Sequence, residues 1–150
     1  MESQLPENNE IPLWAKIYAD LDVHGDVLSD DKGHRMLIAQ TLFLLPEEVR
    51  NKVLDEVTFI MMGDGTMGHH LELNVHGREK LNVILLNFCA MRDWSLERRM
   101  NTICHEIAHF MLPFRFQSGG REAEIKADNL SEKWGFGRSY ASYDQFPPNP

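Results

Sequence analysis

The chain is poor in cysteine, in basic residues and in long apolar runs, and each shortage excludes a class of protein. Two cysteines among 150 residues are too few for a disulfide scaffold and are typical of a reducing compartment. Fifteen Lys and Arg against 23 Asp and Glu give a net charge of −8, and no stretch concentrates basic residues as a nucleic-acid-binding face would. The longest apolar stretches, residues 37–45 and 83–91, are far shorter than the ~20 residues that cross a bilayer. We therefore expect neither nucleic acid nor a membrane as a partner.

The start of the chain and its overall composition indicate one soluble domain. The first ten residues are polar and acidic, whereas a secretory signal begins with basic residues and continues with an apolar run, so we expect a cytoplasmic protein. A hydrophobic fraction of 43% and a charged fraction of 25% are those of an ordinary globular domain. We predict a folded domain over residues 11–137, between a flexible N-terminus, residues 1–10, and an irregular proline-rich tail, residues 138–150. Nothing in the sequence indicates the oligomeric state.

Hydrophobic spacing predicts an α+β fold. Apolar residues at helical spacing predict three N-terminal helices, over residues 11–21, from Ser29 or Asp30 to Leu45, and from Pro46 onward. Three β-favouring runs follow, at residues 57–62, 71–75 and 81–87, and predict a three-stranded antiparallel sheet in chain order. Two more helices are expected, over Leu96 to Leu112 with Asp93 or Ser95 as cap, and over Arg121 to Trp134 with Gly135 at its end.

The sequence His105-Glu106-Ile107-Ala108-His109 is an H-E-x-x-H motif inside the fourth predicted helix. Residues four apart lie on one face of a helix, so His105 and His109 can converge on one metal ion. Glu106, about 100° round the helix, can reach a water molecule beside that ion and act as general base. The motif therefore predicts a site for one zinc ion per chain.

A zinc enzyme with this motif needs a third protein ligand. No His or Cys follows His109, and Arg115 stands where the extended metzincin pattern has its third histidine, so only a carboxylate is left on that side. The last predicted helix offers Glu124, with Asp128 one turn later. We expect Glu124 to bind the metal and Asp128 to accept the second N–H of a ligand imidazole. Glu122 is the competing ligand, about 200° from Glu124 around the helix.

Residues 63–68 match the pattern G-x-G-x-x-G of nucleotide-binding loops. That fingerprint requires a helix directly afterwards, whereas a run at strand spacing follows here, so we predict a glycine-rich hairpin loop instead. His69, His70 and His76 flank the predicted turns; they are expected to be exposed, although any of them could serve as an oxyanion stabiliser or an extra ligand.

Three further side chains have a conceivable role near the motif. Tyr140 and Tyr143 could polarise a substrate carbonyl if the tail folds back, but a loosely ordered terminus is the expectation. Cys104 precedes a metal ligand yet points off the histidine face, so we expect a small packed residue.

Residues 81–112, LNVILLNFCAMRDWSLERRMNTICHEIAHFML, resemble the ImmA/IrrE-type metallopeptidases, in which a strand ending in Asn, a short loop and a helix containing E-R-R lead into H-E-x-[GA]-H. The resemblance continues to an E-x-x-A-[DN] segment, here Glu124 to Asp128, and covers about residues 57–135. It implies a zincin-like domain of the gluzincin type and a zinc-dependent endopeptidase that acts on a regulatory protein.

We therefore expect a zinc metallopeptidase, a hydrolase that cleaves a peptide bond in a protein or peptide substrate. His105, His109 and Glu124 would hold zinc, and Glu106 would take a proton from water and pass it to the leaving amine. The alternative is a catalytically weak zincin-like module that binds or inhibits a protein partner and uses any metal structurally. A third, weaker option is a metal-free helical protein in which the motif arose by chance.

Overall fold

A computed structural model describes residues 11–23, 27–28, 32–62, 68–73, 81–117 and 120–147. They form an α+β fold, as the sequence predicts, with these elements in chain order: α1 (Leu13–Val23), β1 (Val27–Leu28), α2 (Lys32–Leu44), α3 (Glu47–Glu56), β2 (Val57–Met62), β3 (Gly68–Leu73), β4 (Leu81–Asn87), α4 (Leu96–Met111) and α5 (Arg121–Lys133). A single 3-10 turn, Phe114–Phe116, lies between α4 and α5. In the portion of the chain covered by these ranges, no helix has the length and apolarity needed to span a membrane.

The helices begin and end close to where the sequence predicts. Of the two proposed caps of α4, Ser95 is the one used, because its hydroxyl accepts the backbone N–H of Arg98 at 3.2 Å. Gly135 follows the end of α5 with a φ of 95°, a left-handed conformation that favours glycine. The proposed caps of α2, Ser29 and Asp30, and the predicted flexible N-terminus lie outside the described residues.

The predicted three-stranded antiparallel sheet is wrong. The four described strands have the order β1-β2-β4-β3; β1 pairs parallel with β2, β2 pairs parallel with β4, and only β3 is antiparallel to its neighbour. The short β1 also forms before α2, where no strand was predicted. In β4, Val83, Ile84 and Leu86 are all buried, because this strand is covered on both faces and has a neighbour on each side.

The loop between β2 and β3 is not a hairpin, since these two strands are not neighbours in the sheet. The absence of a helix after the glycine-rich segment is confirmed, because β3 begins at Gly68. Residues 63–67 themselves lie outside the described residues.

Helix α4 separates the apolar core from the face that carries the motif. Ile103 and Ile107 on one side of α4 are fully buried and join a core to which every layer contributes, including Leu21, Ile38, Leu42, Phe59 and Leu86. The other side of α4 faces α5, whose Ala123 and Ala127 are buried. Small side chains at a helix contact let the two axes approach closely, and this brings the acidic residues of α5 to the histidines of α4.

Candidate metal centre

Three side chains from α4 and α5 converge at one buried point. The Nε2 atom of His105 lies 2.7 Å from Oε2 of Glu124 and 3.1 Å from Nε2 of His109, and the third side of this triangle, from His109 Nε2 to Glu124 Oε2, measures 3.4 Å. All three residues are buried. They form a group that could hold a metal ion, as the sequence predicts.

The remaining ring nitrogens fix how the two imidazoles are oriented. Nδ1–H of His105 donates to Oδ1 of Asp128 at 2.8 Å, and Nδ1–H of His109 donates to the backbone carbonyl of Phe116 at 2.9 Å. A carbonyl only accepts, so the proton of a neutral His109 ring is on Nδ1, and the same holds for His105 opposite an ionised carboxylate. Both Nε2 atoms then carry lone pairs, and both point at the carboxylate of Glu124.

Three acceptors within 3.4 Å of one another would repel, so a positive charge has to lie between them, either a proton on Nε2 of His105 or a bound cation. The raised pKa of His105 reflects this need for positive charge. Burial lowers that pKa, but hydrogen bonds to Asp128 and Glu124 outweigh burial and raise it to about 10. Burial likewise opposes ionisation of Glu124, yet its bonds to His105 and His109 hold its pKa at about 2.

A bound metal ion would supply the positive charge that the cluster needs. Ligands bonded at about 2.0–2.1 Å to a tetrahedral zinc ion lie about 3.3 Å from one another. Two sides of the observed triangle, 3.1 and 3.4 Å, are close to this spacing, whereas the 2.7 Å side has the length of a hydrogen bond. Two imidazole nitrogens and one carboxylate oxygen are also a ligand set that zinc takes in catalytic sites. The residues present thus fit a zinc ion by their chemistry, and two of the three distances match the spacing of its ligands.

Glu106 lies beside this cluster and against the beginning of β3. Its side chain is buried, and a Cβ atom built on Gly68 would come within 2.9 Å of both Cγ and Oε1 of Glu106. The strand can pass this close only because residue 68 has no side chain. Sequence reasoning missed this contact; the one available signal is a glycine at the start of a strand, which often marks close approach of the backbone.

The described part of the tail, residues 138–147, folds back onto the cluster, whereas the sequence predicts a loosely ordered terminus. The hydroxyl of Tyr143 donates to Oδ2 of Asp128 at 2.6 Å, and the ring of Tyr140 meets that of His105 edge-on with 5.4 Å between centroids. Burial, together with the nearby carboxylates of Glu124 and Glu106, raises the pKa of Tyr140. Three aromatic residues at intervals of three, ending with Phe146, were a signal of packing that the proline-rich composition obscured.

The structure also shows where the other candidate site residues lie. Glu122 is exposed and does not belong to the cluster, whereas Glu124 lies with the two histidines, as helix phase predicts. His70 is buried in β3 with Nε2 3.2 Å from Oδ1 of Asn82, so its expected exposure in a turn is wrong. The pKa of His70 is lowered, and burial is the largest cause. The side chain of His69 and all of His76 lie outside the described residues.

Cys104 is a packed residue, as predicted. It is fully buried, and burial raises the pKa of its thiol to about 12, which leaves it protonated and unreactive at neutral pH.

The cluster predicts that the purified protein carries close to one zinc ion per chain. His105→Ala and His109→Ala should each lose it, because removal of a ligand breaks the coordination that holds the ion. Elemental analysis after dialysis against a weak chelator measures this. His34→Ala is the matched control, since His34 stacks on Phe88 with 4.0 Å between ring centroids and is outside the cluster. Full zinc content in both ligand variants would disprove the site.

Substitutions at three of the four acidic residues of α5, Glu122, Glu124 and Asp128, should affect zinc binding in a fixed order. Glu124→Ala should nearly empty the site, and Asp128→Asn should weaken zinc affinity by roughly 10–100-fold, the usual cost of losing the partner of a ligand histidine. Glu122→Ala should change nothing measurable, because this side chain is exposed. Titration with zinc against a competing chelator gives the three affinities. An empty Glu122 variant beside a loaded Glu124 variant would reverse the assignment.

Comparison with known proteins leaves the geometry as the basis for the assignment: no family model, no curated protein and no solved structure matches this chain.

Proposed function

We propose that the protein is a zinc-dependent endopeptidase that hydrolyses a peptide bond in a protein substrate. The observation that carries the proposal is the convergence of His105, His109 and Glu124 on one point, with Glu106 on the same helix beside it. The resemblance of residues 81–112 to ImmA/IrrE-type metallopeptidases supports the same reaction. A regulatory protein as substrate and a cytoplasmic location remain predictions.

The number of ligands favours a catalytic site over a structural one. Structural zinc sites use four protein ligands, whereas catalytic sites use three and keep one position open. In the described parts of the chain the cluster contains three. A zinc ion bound here would supply Lewis-acid polarisation of a carbonyl oxygen and would make a water molecule more acidic.

Glu106 is the residue we assign to proton transfer. Its carboxylate is close enough to raise the pKa of both His105 and His109 and is not one of the three grouped ligands, so we assign to it the proton of the attacking water. The same carboxyl group then donates that proton to the amine that leaves. Burial of Glu106 keeps bulk water from competing for the proton.

Strand β3 offers a place for an extended substrate. It is at the edge of the sheet, antiparallel to β4, and its other edge pairs with no described strand. An extended peptide can add to such an edge through main-chain hydrogen bonds. Because Gly68 of β3 touches Glu106, a peptide on this edge would run past the proposed base.

A module that only binds or inhibits a partner would have no use for Glu106. Glu106→Gln therefore separates the two functions. The variant should keep fold and zinc but lose hydrolysis by at least roughly 10²-fold, because an amide neither takes nor returns a proton. The assay is cleavage of a library of quenched fluorescent peptides by the zinc-loaded protein.

The matched control is Glu122→Gln, which makes the same change at an exposed residue of α5 and should retain full activity. Near-equal cleavage by wild type and Glu106→Gln would show that Glu106 is not the base. Zinc binding without cleavage by either would favour the binding module.

Gly68→Ala should impair the reaction without touching a metal ligand. The new methyl group would lie 2.9 Å from Oε1 of Glu106, so the carboxylate has to move. A displacement of about 1 Å at a reacting group costs roughly 10²-fold in rate. We expect slower peptide cleavage with unchanged zinc affinity and a similar melting temperature. Unimpaired cleavage by Gly68→Ala would contradict this role of the close contact.

A further inference from the structure

Residues 136–147, named here the C-terminal strap, leave the end of α5 and return to its beginning. Near its start, the backbone N–H of Gly137 donates to Oδ1 of Asn101 on α4 at 2.9 Å. Near its end, the guanidinium of Arg121 donates to the backbone carbonyls of Tyr143 and Phe146 at 3.2 and 3.0 Å. The strap contains no helix or strand, yet contacts with the two helices of the cluster hold both of its ends.

The strap supplies most of the hydrogen bonds of Asp128. This carboxylate is fully buried and accepts four bonds, of which one comes from His105. The other three come from the strap: Ser139 N–H at 2.9 Å to Oδ1, Tyr140 N–H at 3.3 Å to Oδ2, and the Tyr143 hydroxyl at 2.6 Å to Oδ2. A buried carboxylate without such donors would be strongly destabilised.

The direction of the Tyr143 hydroxyl is fixed by Arg138. Nε and Nη2 of Arg138 lie 3.1 and 2.5 Å from the phenolic oxygen of Tyr143. A guanidinium only donates, so both bonds use the lone pairs of that oxygen. The hydroxyl hydrogen is left to point at Asp128, and the arginine strengthens it as a donor.

We propose that the strap is a working part of the metal centre, with Tyr143 a positioning residue that acts on His105 through Asp128. The inference rests on the proposed zinc site. Strap contacts hold the Asp128 carboxylate in place, Asp128 holds Nδ1–H of His105, and Nε2 of His105 is thereby aimed at Glu124.

Coupling of this kind is reciprocal. If an ordered strap favours zinc binding, then zinc binding must favour an ordered strap by the same factor. Loss of strap contacts, by mutation or by a partner that pulls the strap away, would lower zinc affinity while all three ligands stay in the chain. The strap thus offers a means of switching the site from outside.

The first test removes one hydroxyl group. Tyr143→Phe keeps the ring but deletes a donor to Asp128, and we expect zinc affinity to fall by roughly tenfold in a competition titration with a chelator. Tyr18→Phe is the matched control, because it deletes a tyrosine hydroxyl on α1, where the ring lies against the guanidinium of Arg35 and outside the metal cluster. Its zinc affinity should stay at the wild-type value.

The second test uses the wild-type chain and needs no variant to fold. Hydrogen exchange of the Ser139 and Tyr140 amides, both donors to Asp128, should slow when zinc chloride is added. Slower exchange together with weakened binding in Tyr143→Phe alone supports the proposal. Equal zinc affinity in wild type and Tyr143→Phe, equal losses in both tyrosine variants, or unchanged exchange would each overturn it and leave the zinc site standing. A wild-type chain that binds no zinc would overturn the strap proposal and the zinc site together.

Discussion

Three atoms that carry lone pairs meet inside this protein, and a positive charge has to lie among them. The Nδ1 atoms of His105 and His109 are committed to Asp128 and to the Phe116 carbonyl, so the Nε2 atoms can only turn toward each other and toward Glu124. Burial removes the water that would otherwise screen their repulsion. The need for positive charge, whether a proton or a metal ion, follows from these contacts, and a zinc ion is the occupant we propose.

The surrounding fold serves to bring these groups together and to hold them. Helix α4 buries isoleucines on one side and presents the histidines on the other, while buried alanines of α5 let that helix approach with Glu124 and Asp128. Strand β3 passes close to Glu106 at a glycine, and the C-terminal strap closes over Asp128. The four parts meet at the cluster although they come from distant stretches of sequence.

Sequence reasoning predicted what depends on local periodicity and missed what depends on long-range pairing. Helical spacing put His105 and His109 on one face and chose Glu124 over Glu122, because residues on one helix have a fixed angular relation. Strand spacing does not encode strand order, so the mixed sheet was missed, although the unbroken apolar run of β4 is typical of a central strand. The contact between Tyr143 and Asp128 depends on a tail that folds back, and the carbonyl of Phe116 has no sequence signal, since every residue has one.

The most direct test of the central claim is X-ray diffraction from crystals grown with zinc chloride, measured on either side of the zinc absorption edge. The account predicts one strong anomalous peak per chain, about 2.0–2.2 Å from Nε2 of His105, Nε2 of His109 and a carboxylate oxygen of Glu124. It also predicts that Asp128 still accepts Nδ1–H of His105 in that crystal. No peak at the cluster, with the three side chains hydrogen-bonded to one another around a proton, would contradict the claim that this is a metal site.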